Sequence, residues 1–320
     1  MYLMAALILS IKISIGFGAL VLSSFLIFII NKKFLSKNLI DKVNRRSSHS
    51  SVATRTGGIS LFLTLFLISS YFYIIGHEIY EFSLLVPLSI LTIVGLYDDI
   101  NGVDFKLKFI FQIIVAKIII DNGLIIDNLH GFAGIYELDR ITAQLLTIFI
   151  IAAIINSINF IDGIDGLAST IVILFITGFE FFAISLTPYS NLSTIVIASL
   201  APLYYFNLRN RNKVFLGDSG SLFLGGIISV YVITILTNDY IIKPEYDIHK
   251  ILFVFSILLY PIIDIIRIFF LRIMKGKSPF IADKKHIHHI LLTKLKSHIH
   301  VTLLISLFTL FFIVMVQTIF

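Results

Sequence analysis

The sequence contains no cysteine, which excludes a disulfide framework and any thiolate metal site. Charge is scarce: 14% of the residues are Asp, Glu, Lys or Arg, against 58% hydrophobic. That balance excludes an ordinary soluble domain and places the chain among polytopic membrane proteins. Linkers rich in Gly, Ser or Pro are missing, as are low-complexity tracts and internal repeats. The chain therefore reads as a single transmembrane domain over 1–320. The first apolar run, Leu3 to Ile30, lacks an early basic segment and a small-residue cleavage site, and is too long for the core of a cleavable signal. It reads as a first span, with Lys12 snorkelling near its outer end. The formal net charge of +6 does not point to nucleic acid, because the basic residues stand in loops beside spans rather than along one soluble face. Nucleic-acid binding is not expected.

A span needs about 20 apolar residues, so the chain has room for about ten with short loops. The pattern predicts an all-α, polytopic integral membrane protein with spans at 5–30, 58–76, 82–97, 108–121, 141–157, 167–187, 192–206, 221–237, 250–271 and 300–319. The third, fourth and seventh are short, which suits tilting or burial within protein. The loop after the first span holds Lys32, Lys33, Lys37, Lys42, Arg45, Arg46 and Arg55. Later loops on the same side hold Lys106 and Lys108, then Arg209, Arg211 and Lys213, then Arg272, Lys275, Lys277, Lys284, Lys285, Lys294 and Lys296. The opposite face keeps only Lys12, Arg140, Lys243 and Lys250, while Lys117 and Arg267 lie inside spans. The positive-inside rule sends the basic loops to the cytoplasm and both termini outside.

The same loops carry every cluster that looks like chemistry. Carboxylates cost about 2.5 kcal/mol or more each at the centre of a spanning helix, so acids gathered at one interface suggest a site for a charged, soluble substrate beside a lipid. Asp98-Asp99 follows the apolar run Ile90 to Tyr97. Adjacent carboxylates repel and call for a cation or a proton; they suit Mg²⁺ or proton transfer, and equally a solvated helix end. Lys106 and Lys108, just beyond, suit a lipid phosphate or ordinary snorkelling.

Asn156 to Gly166 places two Asn and two Asp between apolar residues, with Gly163 and Gly166 permitting tight turns. Such groups suit a hard cation or the polar edge of a nucleotide, and solvation of a plain loop explains them poorly. Gly217-Asp218-Ser219-Gly220-Ser221 opens a span; its backbone N–H groups would cradle a phosphate, with Asp218 holding a metal or serving only as a helix cap. His286, His288 and His289 stand beside Asp283, Lys284 and Lys285. They suit a diphosphate more than zinc, since no helical His pair four apart brackets a Glu. A basic surface helix on anionic lipid is the structural alternative, and His298 and His300 fit that surface. Asp264 and Arg267, three apart inside the ninth span, read as a self-neutralising pair.

These motifs, in this order, resemble the polyprenyl-phosphate N-acetylhexosamine-1-phosphate transferases, integral membrane enzymes of the glycosyltransferase family 4 type that start bacterial envelope glycan synthesis. The resemblance runs over nearly the whole chain. It takes in Asp41 to His49, Arg55-Thr56-Gly57-Gly58, Asp98-Asp99 with Lys106, Lys108 and Gln112, and Asn156 to Gly166. It continues through Gly217 to Ser221, Pro261, Asp264, Gly276, Ser278-Pro279-Phe280, Asp283 and His286 to His289.

The resemblance implies a Mg²⁺-dependent reaction, with Mn²⁺ allowed, in which undecaprenyl phosphate or a similar polyprenyl phosphate attacks the β-phosphorus of a UDP-N-acetylhexosamine and UMP leaves. Carried over, Asp218 and Asn159 are metal ligands and Asp98 and Asp99 the catalytic pair, acting as base or as positioning groups. Lys106 or Lys108 meets the lipid phosphate. Asn156, Asp162, Gly163 and Asp165 line the donor, the last three on the uridine side, and His286, His288 and His289 donate to the sugar diphosphate. The implied setting is the bacterial inner membrane with a cytoplasmic active site, and a homodimer is allowed.

Leu291, where the murein-precursor branch carries Glu, argues against a muramoyl-pentapeptide donor and for the O-antigen, teichoic-acid or capsule-initiating branch. Val43 replaces a proline of the family's first loop. The donor implied by that resemblance is UDP-GlcNAc, UDP-GalNAc or a deoxy-N-acetylhexosamine nucleotide. Two rival readings are a secondary transporter coupling ions through membrane-end carboxylates, which would show repeat symmetry and acids near the midplane, and a catalytically dead scaffold.

Overall fold

Polar residues between the apolar runs set where the helices begin and end. The computed structural model describes residues 2–41, 52–209, 211–237, 240–243, 245, 249–276 and 285–319. Among them the order is α1 (Tyr2–Ser36), β1 (Ala53–Thr54), α2 (Gly57–Ile74), α3 (Leu85–Asn101), α4 (Phe105–Asp121), α5 (Arg140–Ile161) and α6 (Leu167–Phe182). Then come α7 (Ser190–Leu208), β2 (Lys213–Val214), α8 (Gly217–Leu236), α9 (Lys250–Ile273), α10 (Ile287–Leu295) and α11 (His298–Ile319). Asp104 caps α4, accepting the Lys106 N–H at 3.1 Å, and Asp139 caps α5, accepting those of Ile141 and Thr142 at 3.0 and 3.1 Å. Lys42 to His49, Ser278-Pro279-Phe280 and Asp283, all part of the expected motifs, lie outside the described residues.

The chain is a predominantly helical, polytopic membrane protein. Seven stretches among the described residues are long and apolar enough to cross a bilayer: Leu9–Ser36, Gly57–Ile74, Phe82–Asn101, Arg140–Ile161, Gly217–Leu236, Lys250–Ile273 and His298–Gln317. Helix α6 is apolar but shorter. Helices α4 and α7 coincide with expected spans, yet lysines interrupt the first and Pro202 sits inside the second. Exposed Ile13, Phe17 and Phe25 on α1 and Leu307 and Phe311 on α11 suit a lipid surround.

Boundaries shift where polar residues turn out to be helical. Helix α3 runs through Asp98 and Asp99 to Asn101, α5 through Asn156 and Asn159 to Ile161, and α8 starts at Gly217 rather than 221. Only Asp162 to Gly166 of the expected polar segment lies outside a helix.

The described residues group into two compact units: Met1–Gly102 with Leu186–Phe223, and Val103–Ser185 with Leu224–Phe320. In the first, α1 packs along α7 and α2, and α2 also meets α3 and α7. Strands β1 and β2 pair in parallel, Ala53 opposite Lys213 and Thr54 opposite Val214. Beyond them the Gly57 and Gly58 N–H groups donate to the carbonyls of Phe215 and Leu216 at 2.9 and 2.8 Å. Those bonds satisfy two of the first N–H groups of α2, whose N-cap makes no side-chain bond. In the second unit α4 packs on α5, α5 and α6 on α9, and α11 on α6, α9 and α10. Phe179 stacks on Tyr231 at 4.6 Å and on Tyr240 at 5.1 Å, and the Tyr240 hydroxyl donates to the Phe179 carbonyl at 2.9 Å.

Candidate active site

In the first unit Asp99, the second member of the acidic pair, is buried against the start of α8. The Asp99 side chain is only 1% exposed. Its Oδ1 accepts the Asp218 N–H at 2.9 Å and its Oδ2 the Ser219 N–H at 3.0 Å. The carboxylate of α3 therefore caps α8, and the amides that the sequence suggested for a phosphate are engaged by Asp99. Two glycines make this approach possible. Gly217 has φ +74°, and a Cβ there would fall 2.6 Å from Asp99 Oδ2. A Cβ on Gly95, one turn before Asp99, would fall 2.4 Å from the Asp218 carbonyl oxygen. Asp98 and Asp218 are half-buried beside this junction.

Arg55, which the sequence offered as a topology marker and as the start of a shared motif, joins the cluster. Its Nη2 lies 2.9 Å from Asp41 Oδ1 and its Nη1 3.8 Å from Asp99 Oδ1. Burial alone would lower the guanidinium pKa; Asp41, Asp99 and Asp218 together outweigh it and hold the group above its ordinary value. Three carboxylates thus face one guanidinium. That surplus of negative charge and its hard oxygen donors fit a divalent cation such as Mg²⁺, which takes one or two carboxylates and completes its shell with water and phosphate oxygens. Among the described residues no group of three or more His, Cys, Asp or Glu gathers around one point.

In the second unit the expected donor-side residues differ in what holds them. Asn156 donates from Nδ2 to Gln112 Oε1 at 2.8 Å and to the Ala152 carbonyl at 2.7 Å, so its amide joins α5 to α4. Asp165 is tied to α11: its N–H donates to His298 Nδ1 at 3.1 Å and its carbonyl accepts from Thr302 Oγ1 at 3.0 Å. His298, expected on a basic surface, is therefore a partner of the Asp165 loop. Asn159, Asp162 and Gly163 are half-buried. A Cβ on Gly163 would stand 3.1 Å from His288 Nε2 and from His289 Cε1, so the glycine loop and the histidine helix meet directly. Lys106 is exposed and Lys108 half-buried in the first turn of α4.

The histidines hang on a residue that the sequence had assigned to an internal ion pair. Asp264, with 1% of its side chain exposed, lies 2.7 Å by Oδ2 from His286 Nδ1; its Oδ1 accepts the Ile287 N–H at 2.8 Å and Arg267 Nη2 at 3.1 Å. The Tyr260 hydroxyl lies 2.9 Å from His288 Nδ1. Burial, and then the neighbouring His289, push the His288 imidazole down to about 3 from an ordinary 6.5. The unfolded chain then takes up a proton at this site before the folded one does. The contribution of this site to stability is full above pH 6.5 and declines as pH falls from 6.5 towards 3. Thermal melts across that range should show a falling Tm, and His288→Gln should flatten the decline; an unchanged slope in the variant would remove His288 as its source.

With that geometry in view, residues 81–236 match the family model "Glycosyl transferase family 4". That stretch runs from before Asp98 to the end of α8. The chain is 31% identical over 301 residues to a "Probable undecaprenyl-phosphate N-acetylglucosaminyl 1-phosphate transferase" of Bacillus subtilis, covering 90% of this chain and 79% of that protein. It is 30% identical over 287 residues to the "Decaprenyl-phosphate N-acetylglucosaminephosphotransferase" of Mycobacterium leprae, covering 82% and 72%. The chain belongs to the polyprenyl-phosphate N-acetylhexosamine-1-phosphate transferase family. A further relative is the "Undecaprenyl-phosphate alpha-N-acetylglucosaminyl 1-phosphate transferase" of Yersinia pestis, 30% identical over 83% of this chain and 73% of its own. In this transferase the family match takes in the Asp99 lock and the Asn156–Gly166 segment, while Asp264 and the histidines lie beyond it.

Proposed function

We propose that the protein transfers an N-acetylhexosamine 1-phosphate from a UDP-sugar to undecaprenyl phosphate or a similar polyprenyl phosphate, as the first step of an envelope polysaccharide. A phosphate oxygen of the lipid forms a bond to the β-phosphorus, the bond from that phosphorus to the bridging oxygen breaks, and UMP leaves with the electron pair. Both reactants are anions, so catalysis is largely positioning and charge neutralisation. The observation that carries the reading is the surplus of carboxylate at the head of α8, locked there by Asp99 and flanked by Arg55.

Asp218, with Asn159 as second ligand, would hold the Mg²⁺, and the bound ion would draw charge from the diphosphate. Asp98 is the member of the pair assigned to the reacting groups, while both Asp99 oxygens are bonded to α8. Lys106 and Lys108 attract the lipid phosphate at the bilayer surface. Asp162 and Gly163 take the uridine side and the histidines the sugar diphosphate. The positive-inside pattern supports about ten spans, termini outside, and a site on the cytoplasmic face of the bacterial inner membrane. Leu291 supports the branch with UDP-GlcNAc, UDP-GalNAc or a deoxy sugar as donor.

Purified protein should release UMP from one such donor only when Mg²⁺ and undecaprenyl phosphate are both present, with a lipid-diphosphate sugar of matching mass. No release from folded protein across the donor panel would overturn the proposal, and solute uptake into proteoliposomes without chemistry would put the transporter in its place.

A further inference from the structure

His288 carries a ring nitrogen that holds nothing among the described residues. Its side chain is fully buried, and Nε2 has no hydrogen-bond partner among the described residues. The other ring nitrogen, Nδ1, lies 2.9 Å from the Tyr260 hydroxyl. A phenol keeps its proton near neutral pH and donates it to an imidazole lone pair. Nδ1 is then the acceptor, and the ring proton of His288 sits on Nε2.

His286 is held the other way round. Its Nδ1 lies 2.7 Å from Asp264 Oδ2, and a carboxylate only accepts, so Nδ1 carries the proton. Asp264 has little freedom to do otherwise: Ile287 N–H and Arg267 Nη2 fix its other oxygen at 2.8 and 3.1 Å. The two imidazoles lie nearly parallel, 13° apart with centroids 5.4 Å from each other. Tyr260 and Asp264 are one turn apart on α9, facing the start of α10.

We infer that Asp264 and Tyr260 are positioning residues that hold His286 protonated at Nδ1 and His288 protonated at Nε2, leaving the buried His288 Nε2–H as the donor presented to the substrate. That the substrate is a sugar diphosphate rests on the proposed function; the two tautomers do not.

The test is ¹⁵N-histidine NMR of the full-length protein in detergent micelles, with His286→Gln and His288→Gln to assign the two rings. The expected spectra show His286 with a protonated Nδ1 and His288 with an unprotonated one. In Asp264→Asn the Ile287 N–H keeps the amide oxygen and the amide NH₂ turns to His286, so Nδ1 should lose its proton. In Tyr260→Phe His288 should become a mixture of tautomers. Turnover supplies the second arm. Asp264→Asn should lower kcat/KM by about 10–100-fold in the wild-type background, the usual cost of removing an orienting partner. In a His286→Gln background it should cost less than about 2-fold, because a residue acting through another has no effect once that other is gone. A His286 ring lacking the Nδ1 proton, a ring unchanged by Asp264→Asn, or an equal loss in both backgrounds would overturn the inference. If the wild-type protein turns over no UDP-sugar, the transferase proposal falls while the nitrogen spectra still decide the tautomers.

Discussion

Asp98→Ala and Asp99→Ala should both cripple turnover, but Asp99→Ala should lower thermal stability by more. The two side chains are neighbours in sequence and do different work. Asp99 takes two backbone N–H groups of α8 inside the protein. Removing it leaves two buried donors unsatisfied, at about 1–3 kcal/mol each. Loss of its repulsion with Asp218 offsets part of that cost, but Arg55 loses a counter-charge in the same step. The Tm should therefore fall, and α8 should no longer hold Asp218 in place.

Asp98→Ala leaves those bonds intact. The variant should insert and keep more of the wild-type Tm than Asp99→Ala does, while losing about 10²–10⁴ in kcat, the usual contribution of a positioned acid–base group. Asp218→Ala should behave like Asp98→Ala, because its backbone and not its side chain binds Asp99. Full turnover in Asp98→Ala or in Asp218→Ala would remove that residue from the chemistry. An unchanged Tm in Asp99→Ala would show that the lock carries no weight.

The unequal roles of that pair mark the limit of what the sequence conveys. Hydropathy and the Lys/Arg bias made the helices legible, because each span must satisfy its own backbone within about 20 residues. The chemical clusters were legible too, since Asp, Asn and His at span ends are expensive unless used. Which atoms those side chains bind was not. Asp99 and Ser219 are 120 positions apart, and Asp264 and Ile287 are 23 apart. Local spacing could show only that Asp264 and Arg267 share a helix face; it could not show that a carboxylate deep in α9 also reaches the start of α10. Asn156 adds a second case. Its polarity suggested a substrate contact but gave no sign that its amide also pairs with Gln112 between two helices. Arg55 was legible as a basic loop residue and as part of a shared motif; the three carboxylates around it were not.

Gly95→Ala should be as damaging to turnover as the loss of a carboxylate, although it adds a single methyl group. The added Cβ would stand 2.4 Å from the Asp218 carbonyl oxygen and 2.5 Å from Ser219 Cα. Both are backbone atoms, so no side chain can swing aside, and α3 and the start of α8 must separate by something near an ångström. A displacement of that size at a positioned group costs about 10²-fold in rate. Overpacking at a tight contact adds about 1–3 kcal/mol of destabilisation. Gly18→Ala supplies the control, because a Cβ there meets nothing within 4 Å. Its turnover should equal that of the wild type. The two variants differ from it by the same methyl group, so contrasting rates would locate the effect in the α3–α8 contact rather than in helix propensity. Wild-type turnover in Gly95→Ala would mean that Asp218 tolerates the shift, and the argument that its position limits the rate would fail.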